Sequence, residues 1–293
     1  MSKLQIETDD VCFYTTEACN SNCIMCPMSE DTRKRGIAWT DLDWKEAIAE
    51  LPLDTKHITI TGGEPFLQWE ELMSLMAYIN TNLPSAEVLI LTNGRALALK
   101  RLQAAINGLI TNKYRFAIPI HASNESSHDQ ITQSPGSFVQ SIAALRFLSG
   151  TKAKIEVRLV GHKLNLNDLS ATCRMLADAP FRVNYINLIA MEITGCCARN
   201  RELLWVPYPI VYEHARAGLL YAIKAQIDVG LYNFPLCTLP RSAWPLAYDS
   251  ITDWKIRYAD ECSRCSVKKA CGGMFYSTYL LKLCKVNSII QGV

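Results

Sequence analysis

Apolar positions recur along this chain with two alternating periods. Short apolar or β-branched runs at 11–15, 57–61, 87–91, 115–120, 154–160 and 185–190 read as strands. Segments with apolar residues at helical spacing fall between them. The first carries Trp44, Ala47, Ile48 and Leu51, with Thr40 as its cap and Asp43 three residues on. The next spans about 69–80, with Leu72, Leu75, Met76 and Ile79 as core positions. A third, 97–106, stops at Asn107-Gly108. Two more run from Ser134-Pro135-Gly136 to Leu148 and over 166–177, where Cys173 reads as core. Six strands alternating with helices predict a parallel α/β architecture. A long helix at 207–227, with Pro209 suited to its first turn, and a short strand at 231–234 follow.

The 293 residues suffice for one large domain and a small appendage, expected here as 1–228 and 229–293. Net charge is +2 and no basic run exceeds Arg33-Lys34-Arg35, so nothing demands nucleic acid. That cluster reads as a solvated loop, or alternatively as a contact for an acidic peptide leader. No stretch approaches 18 uncharged apolar residues, which argues against a membrane span. Residues 1–10 are polar and acidic, with no signal-peptide apolar region. A cytoplasmic, reducing location is therefore expected, where twelve cysteines read better as metal ligands than as disulfides.

One stretch behind the first strand organises the candidate chemistry: Cys19-Asn20-Ser21-Asn22-Cys23-Ile24-Met25-Cys26. Two short spacers let three thiolates of one loop converge on three corners of a cubane iron–sulfur cluster, leaving one iron without a protein ligand. An open metal position is where a substrate or cofactor binds. Zinc is the alternative, but no His or Cys follows within the next several residues. After the second strand comes Gly62-Gly63-Glu64-Pro65-Phe66. Paired glycines there allow close approach to the backbone or make a tight turn. The Glu64 carboxylate suits an ammonium group.

Cys19, Cys23 and Cys26 followed by Gly62-Gly63-Glu64-Pro65 resemble the radical S-adenosylmethionine (SAM) superfamily. Further stretches resemble one branch, the His-Xaa-Ser system radical SAM maturases, which act on ribosomally made peptides. These are His128-Asp129 leading to Gly136-Ser137-Phe138, then Met191-Glu192-Ile193-Thr194-Gly195, Tyr232-Asn233-Phe234-Pro235-Leu236-Cys237, Ser250-Ile251-Thr252-Asp253-Trp254-Lys255, and Cys262-x2-Cys265 with Cys271-Gly272-Gly273. The resemblance runs from about Val11 to Ser277.

It implies a partial (β/α)6 TIM-like barrel, open on one side, with a SAM-binding 4Fe–4S cluster on Cys19, Cys23 and Cys26. In α/β barrels sites form past the C-terminal ends of strands. Gly62, Gly63, Glu64, Asn93 and the Met191-Glu192 segment all follow predicted strands. Asn93, within Thr92-Asn93-Gly94, is expected near the barrel mouth, or Gly94 simply makes the turn. The resemblance makes Ser123 and Asn124 candidates for the SAM ribose. It makes Arg158 a candidate for the SAM carboxylate, against a structural salt bridge. His128 is a proton donor or substrate contact, or holds a structural hydrogen bond. Met25 departs from the family, standing where many members place an aromatic residue near adenine.

The C-terminal part holds Cys237 and then Cys262-x2-Cys265-x5-Cys271. On chemistry alone these ligate a second cluster or a structural zinc. The resemblance implies one auxiliary 4Fe–4S cluster in a "twitch" or "SPASM"-like appendage. Phe275 stands where the full SPASM pattern expects another cysteine. Cys237 is the expected fourth ligand and Cys284 the alternative. Cys196-Cys197 reads as structural, with a redox relay as its alternative. The expected activity is reductive SAM cleavage to a 5′-deoxyadenosyl radical and oxidative modification of a precursor peptide, with an external electron donor. The short lead before the first strand shifts leader recognition to a partner maturase or leader-binding protein. The alternatives are a radical SAM enzyme acting on a small molecule and a non-catalytic, metal-stabilised scaffold.

Overall fold

The structure, a computed structural model, describes residues 10–248 and 255–290. In chain order the elements are β1 (Asp10–Tyr14), α1 (Glu30–Arg35), α2 (Asp41–Ala49), β2 (His57–Thr61), α3 (Trp69–Asn82), β3 (Glu87–Leu91), α4 (Lys100–Asn107) and β4 (Tyr114–Pro119). Then come α5 (Glu125–Thr132), α6 (Ser137–Ser149), β5 (Lys154–Val160), α7 (Leu169–Ala177), β6 (Tyr185–Ile189), α8 (Gly195–Arg199), α9 (Arg201–Leu204), α10 (Tyr208–Lys224) and β7 (Asp228–Tyr232). The chain closes with β8 (Ala247–Tyr248), β9 (Ile256–Arg257), β10 (Met274–Phe275) and α11 (Tyr276–Leu280).

β1 to β8 form one eight-stranded sheet in sequential order, the α/β architecture expected from the alternation of strands and helices and of the partial-barrel class that the family resemblance implies. β1 through β4 pair in parallel, as do β6 through β8. β9 and β10 pair antiparallel apart from it. Sequential order with a helix in most crossovers is what parallel pairing demands, since a parallel partner cannot be reached by a tight turn.

The chain divides into two compact units. The first comprises Met1–Asn22, Glu30–Pro119 and Val139–Glu156, and the second comprises Cys23–Ser29, Ile120–Phe138 and Val157–Val293. In the first unit, Ile58, Ile60, Val88 and Ile90 are buried along β2 and β3, and α3 buries Leu72, Leu75, Met76 and Ile79. Phe13 meets Trp44 at a ring distance of 5.5 Å, and Trp39 meets Trp44 at 5.5 Å. The cap of α2 has the expected form: Thr40 Oγ1 accepts from Asp43 N at 3.3 Å, and Asp43 Oδ2 accepts from Thr40 N at 2.7 Å. In the second unit α10 packs on α7, where Gly218 lets the helices approach until a Cβ would touch the Ser170 backbone.

Several boundaries differ from the sequence reading. The loop expected to run from the cysteines to Trp39 contains α1, whose acidic first turn and basic last turn suit the helix dipole. The strand expected at 231–234 lies at Asp228–Tyr232 and extends the sheet beside β6. His128 and Asp129 sit in α5 rather than a loop, because Asn124 Oδ1 caps that helix by accepting from Ser127 N at 3.0 Å. Residues Ser250 to Trp254 of one family-like stretch lie outside the described residues.

Candidate functional site

In the first unit the chain leaves β1 and crosses directly over the turn that ends β2. Gly63 N donates to Thr16 O at 2.5 Å and Glu64 N to Ala18 O at 2.8 Å. A Cβ on Gly63 would overlap the Ala18 carbonyl. The glycines are thus required by this chain's own approach, on the residues leading into Cys19.

Glu64 is 0% exposed. Its Oε1 accepts from Phe66 N at 3.0 Å and Thr92 Oγ1 at 2.6 Å, and its Oε2 from Asn93 N at 2.7 Å. Burial pushes this carboxyl up, while the bonds from Thr92, Asn93 and Phe66 pull against that shift. The Glu64 carboxylate ties the turn after β2 to the turn after β3 through these three donors.

Asn93, fixed by Glu64, turns its amide toward the cysteine loop. Its Nδ2 donates to Asn20 Oδ1 at 2.7 Å and lies 3.9 Å from Cys19 Sγ. Ser21 N donates to Cys19 Sγ at 3.4 Å. Two arginines brace the same loop. Arg95 bonds Asn20 O and Ser21 Oγ, and Arg33 bonds Ser21 O and Asn22 Oδ1. Sequence reading missed Arg95, although it directly follows Thr92-Asn93-Gly94. Arg33 lies in the cluster expected to be solvated; its helix turns it onto the loop. Arg35 of that cluster pairs with Glu17 at 3.0 Å.

In the second unit Cys26 N closes a turn on Cys23 O at 3.1 Å. Ile24 and Met25 pack against Met191, Ile193, Cys197 and Leu204. Burial, then the nearby Cys26, pushes the Cys197 thiol up to about 12, so it stays a neutral thiol. Ser123 is engaged by one partner, its N and Oγ both bonding the Asp168 carboxylate, at 2.5 and 2.6 Å. With Asn124 capping α5, both side chains expected at a ribose are committed to hydrogen bonds within the protein. Arg158 is half-buried within β5, the strand expected to carry it.

The family-like stretch His128-Asp129 with Gly136-Ser137-Phe138 has a local explanation. Asp129 accepts from Gly136 N at 2.5 Å, Ser137 Oγ at 2.7 Å and Phe138 N at 2.9 Å, anchoring the start of α6. Buried His128 accepts at Nδ1 from His121 N at 3.1 Å, a structural bond.

A profile of the radical SAM superfamily matches residues 13–176, more than half the chain. The chain belongs to the radical SAM superfamily. The matched span contains Cys19, Cys23, Cys26, Gly62, Gly63, Glu64, Asn93, Ser123, Asn124 and Arg158. An AdoMet-dependent heme synthase of Methanosarcina barkeri is 25% identical over 166 residues, 55% of this chain and 45% of that protein. A probable GTP 3′,8-cyclase of Pyrobaculum aerophilum is 30% identical over 158 residues, 53% of this chain and 46% of that protein. The chain thus spans about half the length of the curated relatives it matches. Among solved structures, SuiB of Streptococcus suis with bound S-adenosylmethionine superposes with a TM-score of 0.60 at 12% identity, covering 76% of this chain and 49% of that one. SuiB bound to its precursor peptide SuiA matches equally, at TM-score 0.60 and 11% identity, over 76% and 48%. At such identities the likeness is one of fold.

This radical SAM protein holds a second cysteine group in its second unit. Cys237, Cys262, Cys265 and Cys271 line one cavity of about 340 Å³, including its open mouth, beside Arg257 and Lys268. Leu236 N donates to Cys271 Sγ at 3.4 Å. Cys284 does not line the cavity, but the nearby Cys237, Cys262 and Cys271 add to burial in pushing its thiol up to about 12. Among the described residues, no three His, Cys, Asp or Glu side chains group closely enough to hold a single metal ion. Four thiols, an amide donor to sulfur and two cations around one cavity fit the donor set of an iron–sulfur cluster. In the first unit, Ser21 N likewise gives Cys19 Sγ an amide donor.

A buried histidine pair in this unit yields a stability prediction. Burial, then His128 and His162 nearby, holds His121 well below its ordinary value, and burial lowers His162 to about 4. Among the described residues, neither His162 ring nitrogen has a hydrogen-bond partner. A depressed folded pKa contributes stability above the unfolded value near 6.5 that is lost as pH falls toward 4. His162 alone therefore costs the folded state about 2 kcal/mol between pH 7 and 5. Urea unfolding at both pH values is expected to show that loss, and to show less of it in His162→Leu; an unchanged pH slope in that variant contradicts the assignment.

No described helix is long and apolar enough to cross a membrane.

Proposed function

We propose that this superfamily member is a peptide-modifying enzyme of the His-Xaa-Ser maturase type. Cys19, Cys23 and Cys26 are the thiolates that hold the SAM-binding 4Fe–4S cluster. The observation that carries the reading is the Cys-x3-Cys-x2-Cys loop leaving β1, seated by its own lead-in on the Gly-Gly-Glu turn of β2. When bound and reduced, the cluster with SAM supplies a 5′-deoxyadenosyl radical that removes a hydrogen atom from the substrate. The chain's own residues orient and shield. Glu64 and Arg95 hold the turn and the loop. Asn93 and the Gly62-Gly63 backbone are the polar groups offered to SAM, with Arg158 as the partner for its carboxylate. Ser123 and Asn124 support from behind, through Asp168 and the α5 cap.

The 229–293 region holds one auxiliary 4Fe–4S cluster on Cys237, Cys262, Cys265 and Cys271, with Cys284 as a neighbouring thiol. Full thiolate ligation by these four residues would leave no open iron, so the cluster would carry electrons or tune potential rather than bind substrate. The peptide reading draws on this cysteine group and on SuiB, whose structure holds its precursor peptide. The two sequence relatives favour a second reading, since both are named for small-molecule chemistry. An external electron donor is required in either case, and a leader-binding partner accompanies the peptide reading in the cytoplasm.

The test is 5′-deoxyadenosine formation by anaerobically reconstituted protein with SAM and reductant, with and without a His-x-Ser-rich precursor peptide. Strong stimulation together with a peptide mass change is the expected result. Slow, peptide-independent turnover retains the radical SAM chemistry without supporting the peptide assignment, and absence of both cluster and product refutes the chemistry.

A further inference from the structure

The second half of the cysteine loop is held by one segment that sequence reading treated as two unrelated features. Among the carbonyls from Ile24 to Met28, four accept hydrogen bonds from residues 194–200. Asn200 Nδ2 donates to Ile24 O at 3.0 Å, Cys197 N to Cys26 O at 3.0 Å, Thr194 Oγ1 to Pro27 O at 2.9 Å and Cys196 N to Met28 O at 3.3 Å. Gly195 has a φ of 52°, and a Cβ there would overlap the Pro27 and Met28 backbone. Glycine is needed on both counts. An irregular loop has no ladder of its own, so these donors stand in for secondary structure.

The same segment is anchored from its other side. Ile193 N donates to Ser277 Oγ at 3.0 Å, and Glu192 carboxylate pairs with Lys255 Nζ at 3.1 Å, both groups half-buried. Ser277 and Lys255 flank the strand pair β9 and β10, which borders the four-cysteine cavity through Arg257, Gly273 and Met274.

We propose that Glu192–Asn200 is a positioning element for Cys23 and Cys26, and that Lys255 and Ser277 make its hold depend on the C-terminal cysteine region. The proposal rests on the reading of Cys19, Cys23 and Cys26 as cluster ligands. Thr194 and Asn200 act on Cys23 and Cys26 through the loop carbonyls, as outer partners of metal ligands do. The neutral thiol of Cys197 takes no part, since its backbone makes the bond.

Two measurements test this, one without the cluster. In cluster-free protein, hydrogen–deuterium exchange over 23–29 is expected to quicken in Thr194→Val and in Asn200→Ala, with β2 to β4 unchanged and Thr194→Ser restoring protection. In reconstituted protein, loss of the SAM-perturbed cluster signal to an iron chelator is expected about tenfold faster in Thr194→Val/Asn200→Ala than in wild type, by the usual effect of outer partners on metal affinity. Lys255→Met is expected to move both readouts in the same direction by less. Unchanged exchange and unchanged cluster retention in the double variant overturn the proposal while leaving the cluster reading intact. Exchange that rises without faster cluster loss, or that rises throughout the chain and resists Thr194→Ser, overturns it too. An unmoved Lys255→Met overturns the dependence on the C-terminal region. A wild-type protein that binds no cluster defeats the functional reading, and the exchange result still decides the loop contacts.

Discussion

Replacing Cys26 with alanine is expected to abolish 5′-deoxyadenosine formation outright, whereas replacing Cys271 is expected to leave SAM cleavage measurable. The difference follows from where each thiol stands. In the proposed assignment Cys26 is one of three ligands to the SAM-binding cluster, and the remaining two would not retain a cubane with an open iron. The radical chemistry would come from that cofactor, so its loss would leave no residual route. Cys271 belongs to the group of four around the C-terminal cavity. Its loss should lower bound iron from about eight to about four per chain while sparing the SAM-perturbed signal. Cys26→Ala should lower iron by the same amount and remove that signal. Cys197→Ala is the control: a buried thiol beside Cys26 that remains neutral. It should keep its iron and lose about 1 kcal/mol of stability, the scale of a small core truncation. Iron analysis with electron paramagnetic resonance separates the three variants. If Cys197→Ala behaves as Cys26→Ala does, the ligand assignment is wrong.

The alternation of strands and helices was legible because buried parallel strands are short, continuous apolar runs. Three strands, His57–Thr61, Glu87–Leu91 and Lys154–Val160, lie at the expected positions. Less legible are the segments where a polar side chain sets local structure: Asn124, a ribose candidate by resemblance, caps α5, and Asp129, part of a family-like stretch, anchors the start of α6. Both roles depend on donors supplied by the fold. The cysteine motif was legible because its spacing is covalent and local. Its supports were not: Glu64 to Asn93, Arg95 to Asn20 and Asn200 to Ile24 join residues far apart in sequence, with no periodicity to announce them. Cys196-Cys197 was read as structural, yet sequence did not show that its two backbone amides face the loop carrying Cys26.

Glu64→Gln is expected to cost more than its single-atom change suggests, because three donors converge on one carboxylate. Phe66 N and Thr92 Oγ1 point at Oε1 and Asn93 N at Oε2. A glutamine keeps one acceptor oxygen and turns the other position into a donor. Whichever way the amide is placed, an N–H faces a backbone N–H in a site with 0% exposure. One hydrogen bond is lost, one buried donor is left unsatisfied, and the surviving bonds lose their charge assistance. The sum is about 3 kcal/mol. For a domain of this size that lowers the melting temperature by about 10 °C. The consequence reaches the cysteine loop through Asn93, whose backbone Glu64 fixes and whose amide meets Asn20 beside Cys19. Glu64→Gln should therefore also weaken SAM perturbation of the cluster at temperatures where the protein remains folded. Thr92→Val removes the hydroxyl donor to Glu64 and also the acceptor of Gly94 N, at 3.0 Å, and should cost about 2 kcal/mol. Combined with Glu64→Gln it should be less than additive, since both act on the same oxygen pair. Thermal unfolding of the two single variants and the double variant tests this. Full additivity would mean that Glu64 is not bound by these donors, and that the turn after β2 does not govern the one after β3.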